Sequence, residues 1–438
     1  MNIKVVKFGG SSLADAEHFK QVAKIIKSDP SRRFVVASAP GKRYSDDEKV
    51  TDMLYTCYNM IRNHQDITDY YQKIKDRYNA IIEDLEIDFD ISGELEYIKN
   101  AMIHRSGRDY AASRGEYLNS LILAKYLGFD FVDAENIIFF NENSSFDEKK
   151  TSISVAEELS KHENAVIPGF YGSMPNGTIK TFSRGGSDFT GSIVAGAIGA
   201  DLYENWTDVS GFLMADPRII SNPLPISTIT YRELRELSYN GATVLHEDSI
   251  FPVQKEGIPI NIRNTNLPED KGTIIVPCAS NYDNKHVITG IAGKKGFSVI
   301  NIEKNHMGGE FGFASRVFKC LDIYDIHTEH LASGIDSMSH IVSSDELNSK
   351  IDDFIPELHR ISDADNITVD SGLALVAVVG RGMKETKGTA ARIFSAISNA
   401  GVNVRMIDQG ASELNIVIAV YESDYERTIE AIYNEFVK

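Results

Sequence analysis

The sequence predicts an α/β protein in which a mostly parallel sheet, covered by helices on both faces, is followed by two copies of a small βα unit. Three observations predict this. Apolar strand-like runs alternate with helical stretches up to about residue 284, the composition changes near residue 285, and the remainder contains an internal repeat. Strands interleaved with helices form parallel sheets with both faces covered. Ligands of such sheets bind at the carboxyl ends of the strands, so we expect the chemistry in the loops after Phe8, Ser38 and Phe182.

The composition is that of an ordinary globular protein with room for two or three domains. The chain has 438 residues, of which 42% are hydrophobic and 25% charged, and no apolar run approaches the roughly 18–20 residues of a membrane span. We expect no secretory signal, because a basic segment followed by an apolar one is missing at the N-terminus. The scattered cysteines Cys57, Cys278 and Cys320 predict reduced thiols in the cytoplasm. The net charge of −18 argues against nucleic acid or an anionic membrane as a partner.

The N-terminal segment predicts a phosphate site. The apolar run 3–6 leads into Lys-Phe-Gly-Gly-Ser-Ser at residues 7–12. Two adjacent glycines allow successive backbone N–H groups to converge on one point, and a helix that starts at residue 11 or 12 would add its positive end. Lys7 supplies a mobile positive charge beside them. An ordinary strand–turn–helix corner would use the same residues, and this segment alone leaves both interpretations open.

A second glycine-rich loop, residues 183–188, follows the strand-like run 179–182 and opens a predicted helix. Arg184 offers a planar fork for a carboxylate, and Asp188 can accept from an ammonium group or steady Lys7. The alternative is a surface turn with a capping serine. Glu116, at the start of a helix predicted over 113–128, is by itself most simply a charge that favours the helix dipole.

A third polar segment spans residues 206–218. Thr207 and Asp208 end a predicted strand, and a tight loop closes with Asp216 and Arg218. Arg218 suits a phosphate, whereas Thr207 and Asp208 suit nucleotide hydroxyls or magnesium-bound waters. The chain has no P-loop motif and lacks the protein-kinase motif set.

The C-terminal part is duplicated. Residues 312–318 and 388–394 share the pattern G-x-A-[SA]-R-[VI]-F. Each copy follows a strand-like run, 297–302 or 374–379, and is predicted to open a short helix. This indicates two copies of one small βα unit.

Together these segments resemble the aspartate kinase branch of the amino-acid kinase family, over nearly the whole chain. Residues 7–12 are similar to its K-F-G-G-[ST]-S opening, 183–188 to its [GS]-R-G-G-S-D loop, 113–116 to S-x-G-E, and 207–218 to T-D-V-x-G-…-D-P-R. The duplicated units resemble its paired ACT domains. The resemblance implies a three-layer αβα, carbamate-kinase-like domain over residues 1–284. Two ferredoxin-like βαββαβ ACT domains would follow, the first over 285–368 and completed by 425–438, the second over 369–424.

The resemblance implies ATP-dependent phosphorylation of the β-carboxylate of L-aspartate to 4-phospho-L-aspartate, the first step toward lysine, threonine and methionine. A carboxylate is already a nucleophile at neutral pH, so the reaction depends on positioning and charge neutralisation. Mg²⁺ would arrive on ATP, with no direct protein ligand. Two alternatives stay open. The chain could be a kinase of glutamate, acetylglutamate or a nucleotide monophosphate, or a catalytically silent amino-acid sensor.

The same resemblance assigns roles to individual residues. The catalytic residues are Lys7, Gly9, Gly10 and Asp188. The aspartate pocket consists of Ser38, Thr51, Glu116 and Arg184. The ATP site consists of Lys7, Gly9, Gly10, Ser11, Thr207, Asp208, Leu213, Asp216, Arg218 and Thr243. Two positions depart from the family: Thr243 stands where a lysine is frequent, so that Lys255 or a neighbour would have to replace it, and Leu213 stands where many relatives have an aromatic residue.

The resemblance also implies end-product inhibition by lysine, with threonine as a second candidate, in a homodimer that pairs through its ACT domains; a tetramer is the alternative assembly. Met307, Gly312 and Phe313 fall where the first ACT domain presents a ligand loop. Asp325 is expected on the facing strand, where its carboxylate would take the inhibitor's ammonium. The competing interpretation is that these domains serve dimerisation alone.

Overall fold

The computed structural model describes residues 2–104, 107–183, 185–242, 245, 247–278 and 286–437, which fall into two compact units. The first contains the described residues up to 212 together with 225–231 and 245–278. The second contains 213–224, 232–242 and 286–437. Among the described residues, no helix has both the length and the apolar character that a bilayer crossing requires.

The strands are numbered along the chain. Those of the first unit are β1 (Lys4–Phe8), β2 (Arg32–Ala37), β3 (Asp130–Phe131), β4 (Ala165–Pro168), β5 (Tyr171–Ser173), β6 (Ile179–Thr181), β7 (Leu202–Thr207), β8 (Thr228–Thr230), β9 (Ile260–Asn264) and β10 (Thr273–Val276). Those of the second unit are β11 (Gly290–Glu303), β12 (Thr328–Ser333), β13 (Ser337–Ser343), β14 (Asn366–Val379), β15 (Met406–Asp408) and β16 (Asn415–Tyr421).

The helices are numbered in the same way. They are α1 (Ala16–Lys27), α2 (Val50–Arg62), α3 (Thr68–Asp84), α4 (Ser92–Ile103), α5 (Arg108–Leu127), α6 (Glu148–Leu159), α7 (Gly186–Ala197), α8 (Tyr231–Tyr239), α9 (Phe251–Glu256), α10 (Phe313–Ile323), α11 (Ser344–Asn348), α12 (Ile351–Ser362), α13 (Thr389–Asn399) and α14 (Tyr425–Val437). Short 3-10 helices cover Gly10–Leu13, Ala134–Asn136, Glu247–Ile250, Met307–Gly309, Arg381–Lys384 and Glu422–Asp424.

The main sheet of the first unit has the strand order β3-β4-β2-β1-β7-β9-β10-β8, and of these described strands only β9 and β10 pair antiparallel. Helices α1–α5 cover one face over an apolar core that includes Phe8 and Trp206. Helix α7 packs on the other face, toward which Lys7 points. This confirms the predicted mostly parallel, three-layer arrangement.

The strand sequences explain why the sheet is buried on both faces. Val5, Val6 and Phe8 of β1 are fully buried, as expected for a central parallel strand covered by helices on each side. Lys7 interrupts this apolar run and is only 7% exposed. A lysine at such a place requires a charged partner, because burial of an unpaired ammonium is costly.

The second unit is built on an antiparallel sheet of order β12-β13-β11-β14-β16-β15. Helices α10 and α12 pack together over one apolar core, and α13 packs beside α14. The two repeat copies follow β11 and β14 and open α10 and α13, which confirms the duplication. Gly312 and Gly388 precede these helices with φ of 82° and 84°, in the left-handed region that favours glycine.

Several predicted boundaries were wrong. Lys7 lies within β1 rather than in the turn after it, and the first α-helix begins at Ala16, after a 3-10 turn. Helix α5 begins at Arg108, so Glu116 lies in its middle and the helix-start interpretation of this glutamate is wrong. β11 and β14 have 14 residues each, more than twice the length predicted, because they pair with each other along their length, a tertiary contact that no local pattern reports.

Candidate active site

The carboxyl ends of the parallel strands bring Lys7 and Asp188 together. Lys7 Nζ lies 2.5 Å from Asp188 Oδ1. Lys7 comes from the central strand β1, whereas Asp188 lies in the first turn of α7, whose N-terminus follows Gly185 in a left-handed conformation with φ of 58°. The glycine-rich turn therefore starts the helix where its first carboxylate meets the ammonium. The predicted partnership of these two residues is present.

Two residues of β7 hold Asp188 in place. Asn205, opposite Lys7 in the parallel pairing of β1 and β7, donates from Nδ2 to Asp188 Oδ1 at 2.8 Å. The Tyr203 hydroxyl donates to the Asp188 carbonyl oxygen at 3.0 Å. Both residues are buried, and the sequence interpretation missed both of them. The carboxylate is thus fixed by an amide as well as by the lysine.

The Gly9–Gly10 turn lies directly against Lys7. The Gly9 N–H donates to the Trp206 carbonyl oxygen at 3.1 Å, and a methyl group added at Gly9 would lie 3.6 Å from Lys7 Nζ. A methyl group at Gly10 would meet the Ala39 carbonyl oxygen at 2.9 Å. At Gly9, backbone without a side chain therefore lies beside the ammonium, as a phosphate site requires, and at Gly10 the close approach of the Ala39 backbone leaves no room for a side chain.

Gly41 is hydrogen-bonded to the Gly9–Gly10 turn. Its N–H donates to the Gly10 carbonyl oxygen at 2.8 Å, and its own carbonyl accepts from Arg77 Nη2 at 2.6 Å. The buried Arg77 also pairs with Asp47 at 2.7 Å. A hydrogen bond from Arg43, together with the charge of Arg77, holds the pKa of the Asp47 carboxyl well below its usual range. The buried ion pair of Arg77 and Asp47 therefore stabilises the glycine turn through Gly41.

Ser12 and Thr265 connect the turn to the loops after β7 and β9. Their hydroxyl oxygens lie 2.7 Å apart and are buried. The Thr265 N–H donates to the Thr207 carbonyl oxygen at 2.8 Å. Thr207 Oγ1 donates to Asp208 Oδ1 at 3.1 Å, and Asp208 is exposed. Three loops at one edge of the sheet are thereby joined.

Glu116 is buried in the first unit. Burial raises the pKa of its carboxyl to about 8, and the Ala39 backbone N–H and nearby Arg114 oppose the rise. Its Oε2 has no hydrogen-bond partner among the described residues. A buried acceptor without a donor is unfavourable unless a ligand supplies one. A substrate ammonium is such a donor.

Ser38 and Thr51 lie on the same side as Glu116. A methyl group added at Gly115 would lie 2.8 Å from Ala39 Cβ and 3.7 Å from Thr51 Oγ1, so the helix carrying Glu116 touches both the end of β2 and the start of α2. The Ser38 N–H donates to the Phe8 carbonyl oxygen at 3.2 Å. These predicted acceptor residues therefore lie around one region, next to the turn after β1.

The remaining predicted nucleotide residues are distributed differently. Ser11 is exposed on the 3-10 helix that follows Gly9. Leu213, Asp216 and Arg218 belong to the second compact unit. Arg218 is folded back on Asp216, with Nη2 to Oδ2 at 2.6 Å and a side chain 88% exposed, and this contact lowers the pKa of Asp216. The Arg218 guanidinium is accessible to a ligand.

Two predicted site residues, Arg184 and Thr243, lie outside the described residues. Lys255, the suggested replacement for a lysine at position 243, is exposed and pairs with Glu148 at 2.7 Å. Among the described residues, no group of three or more histidine, cysteine, aspartate or glutamate side chains is gathered where it would hold a metal ion.

The predicted regulatory residues separate into two places. Met307 lies in the 3-10 helix before Gly312, and Phe313 is the buried first residue of α10. Asp325 is not on a facing strand, and that prediction was wrong. It lies in the turn after α10, with φ of 47°, and its carbonyl accepts from Lys350 Nζ at 2.9 Å. The whole of α10 separates it from the other three, because the helix continues to Ile323.

Comparison with known proteins agrees with this architecture. The amino acid kinase family matches residues 2–264, and an ACT domain matches residues 376–436. Aspartokinase 3 of Bacillus subtilis (strain 168) is 36% identical over 452 residues, which cover 99% of this chain and 98% of that protein. The crystal structure of aspartate kinase from Clostridium acetobutylicum has a TM-score of 0.95 at 52% identity and covers 99% of this chain and 100% of that one.

Aspartokinase III of E. coli, solved in complex with aspartate and ADP, has a TM-score of 0.75 at 25% identity and covers 99% of both chains. The same protein solved with lysine and aspartate has the same score and identity and covers 100% of both. The kinase family match spans more than half of the chain, and the Bacillus relative aligns along nearly its whole length. The first unit has a lysine–aspartate pair and a bare glycine turn at the carboxyl edge of its parallel sheet, and a duplicated antiparallel unit follows it along the chain. The chain therefore belongs to the amino acid kinase family and, within it, to the aspartate kinases with C-terminal ACT domains.

Proposed function

We propose that in this aspartate kinase the phosphoryl group passes from ATP to the β-carboxylate of L-aspartate beside Lys7, at the carboxyl edge of the main sheet. The observation that carries the proposal is the buried Lys7 ammonium, 2.5 Å from Asp188 and facing the bare backbone of Gly9. A positive charge next to glycine amides matches the charge that develops on a transferring phosphoryl group.

In this proposal, positioning and charge neutralisation do most of the work. Lys7 would contact the oxygens of the transferring group, the Gly9 and Gly10 amides would hold phosphate oxygens, and Asp188 would keep the ammonium in place. When bound, Mg²⁺ would neutralise charge on the phosphates of ATP. Thr207 and the exposed Asp208 offer oxygens toward nucleotide hydroxyls or magnesium-bound waters.

The acceptor, L-aspartate, would lie next to helix α5, which carries Glu116. Glu116 would receive the ammonium group of aspartate, with Ser38 and Thr51 beside it and Arg184 on the α-carboxylate. The enclosed Glu116 carboxylate, with Oε2 unpartnered among the described residues, supports this assignment. The structure of E. coli aspartokinase III with aspartate and ADP supports the choice of both substrates.

Regulation by lysine through the ACT domains fits the duplicated C-terminal units and the E. coli structure with lysine and aspartate. We place the inhibitor at Met307, Gly312 and Phe313, where the chain turns into α10. The domain limits at 284, 368 and 424, the homodimer and the cytoplasmic location stay predictions.

A hydroxamate assay tests the function directly. Purified protein is supplied with MgATP and, in turn, L-aspartate, L-glutamate, N-acetyl-L-glutamate or a nucleoside monophosphate, and ADP and acyl hydroxamate are both measured. We expect turnover with aspartate at least ~10²-fold above the others, a difference of about 2.7 kcal/mol in the barrier. Turnover with glutamate or acetylglutamate instead would overturn the substrate assignment, and ATP binding without turnover on any acceptor would indicate a sensor.

A further inference from the structure

Asn119 holds the end of β2 from inside the first unit. It lies on α5, three residues after Glu116, and is fully buried. Its Nδ2 donates to the Ser38 carbonyl oxygen at 2.7 Å. Its Oδ1 has no partner among the described residues, so the bond to Ser38 is what anchors the amide there. Residues three apart on a helix share one face, so Asn119 and Glu116 both face this strand end.

The two side chains act on the same peptide group. The Ser38 carbonyl that Asn119 holds and the Ala39 N–H that favours the ionised form of Glu116 belong to one peptide plane. With one side chain on its oxygen and another at its nitrogen, this plane has little freedom to rotate. Its orientation therefore depends on Asn119.

The peptide groups on either side of this one, Ala37–Ser38 and Ala39–Pro40, contact the phosphate turn. The Ser38 N–H donates to the Phe8 carbonyl oxygen at 3.2 Å, directly before Gly9. The Ala39 carbonyl oxygen lies where a methyl group on Gly10 would meet it at 2.9 Å. A rotation of the Ser38–Ala39 peptide would therefore displace Ser38 on the acceptor side and the glycine turn on the phosphate side together.

We propose that Asn119 is a positioning residue for phosphoryl transfer, which orients the Ser38–Ala39 peptide and so aligns the acceptor carboxylate with the phosphoryl group at the Gly9–Gly10 turn. The inference rests on the proposed function, because it takes Glu116 and Ser38 as the acceptor side. In-line transfer is sensitive to alignment, and a displacement of about 1 Å lowers rates by ~10²-fold.

Two variants test the role of the amide. Asn119→Asp keeps the shape but, when ionised, cannot donate to Ser38, and Asn119→Ala removes the group. We expect each to lower kcat/KM for aspartate ~10- to 100-fold at saturating ATP, mostly through kcat, while KM for ATP changes less than about threefold. Ser120→Ala is the matched control, because Ser120 is equally buried on α5 and its Oγ has no partner among the described residues. We expect its kinetics to stay within about twofold of the parent.

Thermal unfolding, measured beside the kinetics, distinguishes a positioning role of Asn119 from a purely structural one. Thermal unfolding is measured for all three variants. Folded Asn119 variants with the kinetics of Ser120→Ala, equal losses for ATP and aspartate, or failure of both variants to fold would overturn the proposal. If the parent enzyme itself shows no aspartate-dependent turnover, the proposed function fails instead. If the parent enzyme is active and the Asn119 variants have unchanged kinetics, only the inference about Asn119 is refuted, and the proposed function stands.

Discussion

Lys7 and Asp188 reach each other from a central strand and a helix N-terminus that lie 181 residues apart in the chain, and their charged atoms are 2.5 Å from one another. Asn205, next to Lys7 across the β1–β7 pairing, holds the same carboxylate oxygen at 2.8 Å. The ammonium is thus held by an anchored carboxylate, and the bare backbone of Gly9 lies beside it, where an added methyl group would be 3.6 Å from Nζ.

Replacement of Lys7 by alanine removes that charge from the proposed phosphoryl site. We expect Lys7→Ala to lower kcat at least ~10³-fold, about 4 kcal/mol of barrier, measured as aspartate-dependent ADP release. Lys20→Ala is the control, because Lys20 is an exposed lysine of α1 that pairs with Glu17. A folded Lys7→Ala protein that keeps more than a tenth of the parent rate would remove the phosphate assignment.

Gly41 tests the glycine turn without touching a proposed ligand residue. An alanine methyl there would lie 2.6 Å from the Gly10 carbonyl carbon and 2.7 Å from the Ser11 nitrogen, which is backbone on both sides. The turn must move, so we expect Gly41→Ala to raise KM for ATP or to lower kcat by ~10²-fold in steady-state assays.

Gly93→Ala is the matched control for this change. Gly93 lies in the first turn of α4, and an added methyl there would meet nothing within 4 Å. We expect unchanged kinetics and a slightly raised melting temperature, because alanine favours helix over glycine by roughly 1 kcal/mol. Equal kinetic losses in both variants would show that the turn after β1 has no special role.

The sequence predicted the place of the chemistry more accurately than the residues that support it. Lys7 and Asp188 each stand within three residues of a glycine pair and close to a strand-like run, a local pattern that indicates a ligand site at a strand end. Asn119 and Asn205 carry no such pattern, since their partners Ser38 and Asp188 lie 81 and 17 residues away. Lone asparagines on a helix or a strand acquire a role only when the fold brings those partners to them.

The regulatory unit shows the complementary limit. The repeat predicted both helices and the glycines before them, because a left-handed residue before a helix is a local requirement. The position of Asp325 was mispredicted because it depends on where α10 ends, and a helix of 11 residues spans roughly 16 Å. Asp325 therefore lies about that distance from Gly312, and we infer that it takes no part in a ligand site there.

Glu116 predicts a pH dependence for aspartate use. Burial raises the pKa of its carboxyl to about 8 in the free enzyme, so the charged form that would bind an ammonium gains population as the pH rises. We expect kcat/KM for aspartate to increase with pH and to level off above about 8, as measured by initial rates from pH 6 to 9.5. Glu116→Gln should lower kcat/KM for aspartate ~10- to 100-fold and abolish its rise with pH near pH 8. If kcat/KM for aspartate rose with pH in the same way in that variant, the assignment of Glu116 to the substrate ammonium would be contradicted.

The same residue makes a separate prediction about stability. With a folded-state pKa near 8 and an ordinary value of 4.5, the folded protein retains a proton that the unfolded chain releases. The contribution of Glu116 to the free energy of unfolding is therefore fully present below pH 4.5 and is lost as the pH rises toward and through about 8. We expect the melting temperature of Glu116→Gln to exceed that of the parent at pH 8 and to match it near pH 4.5. Identical differences at both pH values would show that Glu116 is not buried in its neutral form.

The duplicated glycines provide a matched test of the inhibitor site. Gly312 and Gly388 occupy the same place before α10 and α13, with φ of 82° and 84°, and an added methyl meets nothing within 3.5 Å at either. Alanine at each should therefore cost a similar 1–2 kcal/mol of strain, roughly, in the left-handed region. If lysine binds at the turn into α10, Gly312→Ala should raise the half-inhibitory lysine concentration at least ~5-fold, whereas Gly388→Ala should leave it within about twofold. Equal shifts in the two variants would mean that inhibition responds to the stability of the unit and not to a ligand at Gly312, and no inhibition of the parent by lysine would remove lysine as the effector.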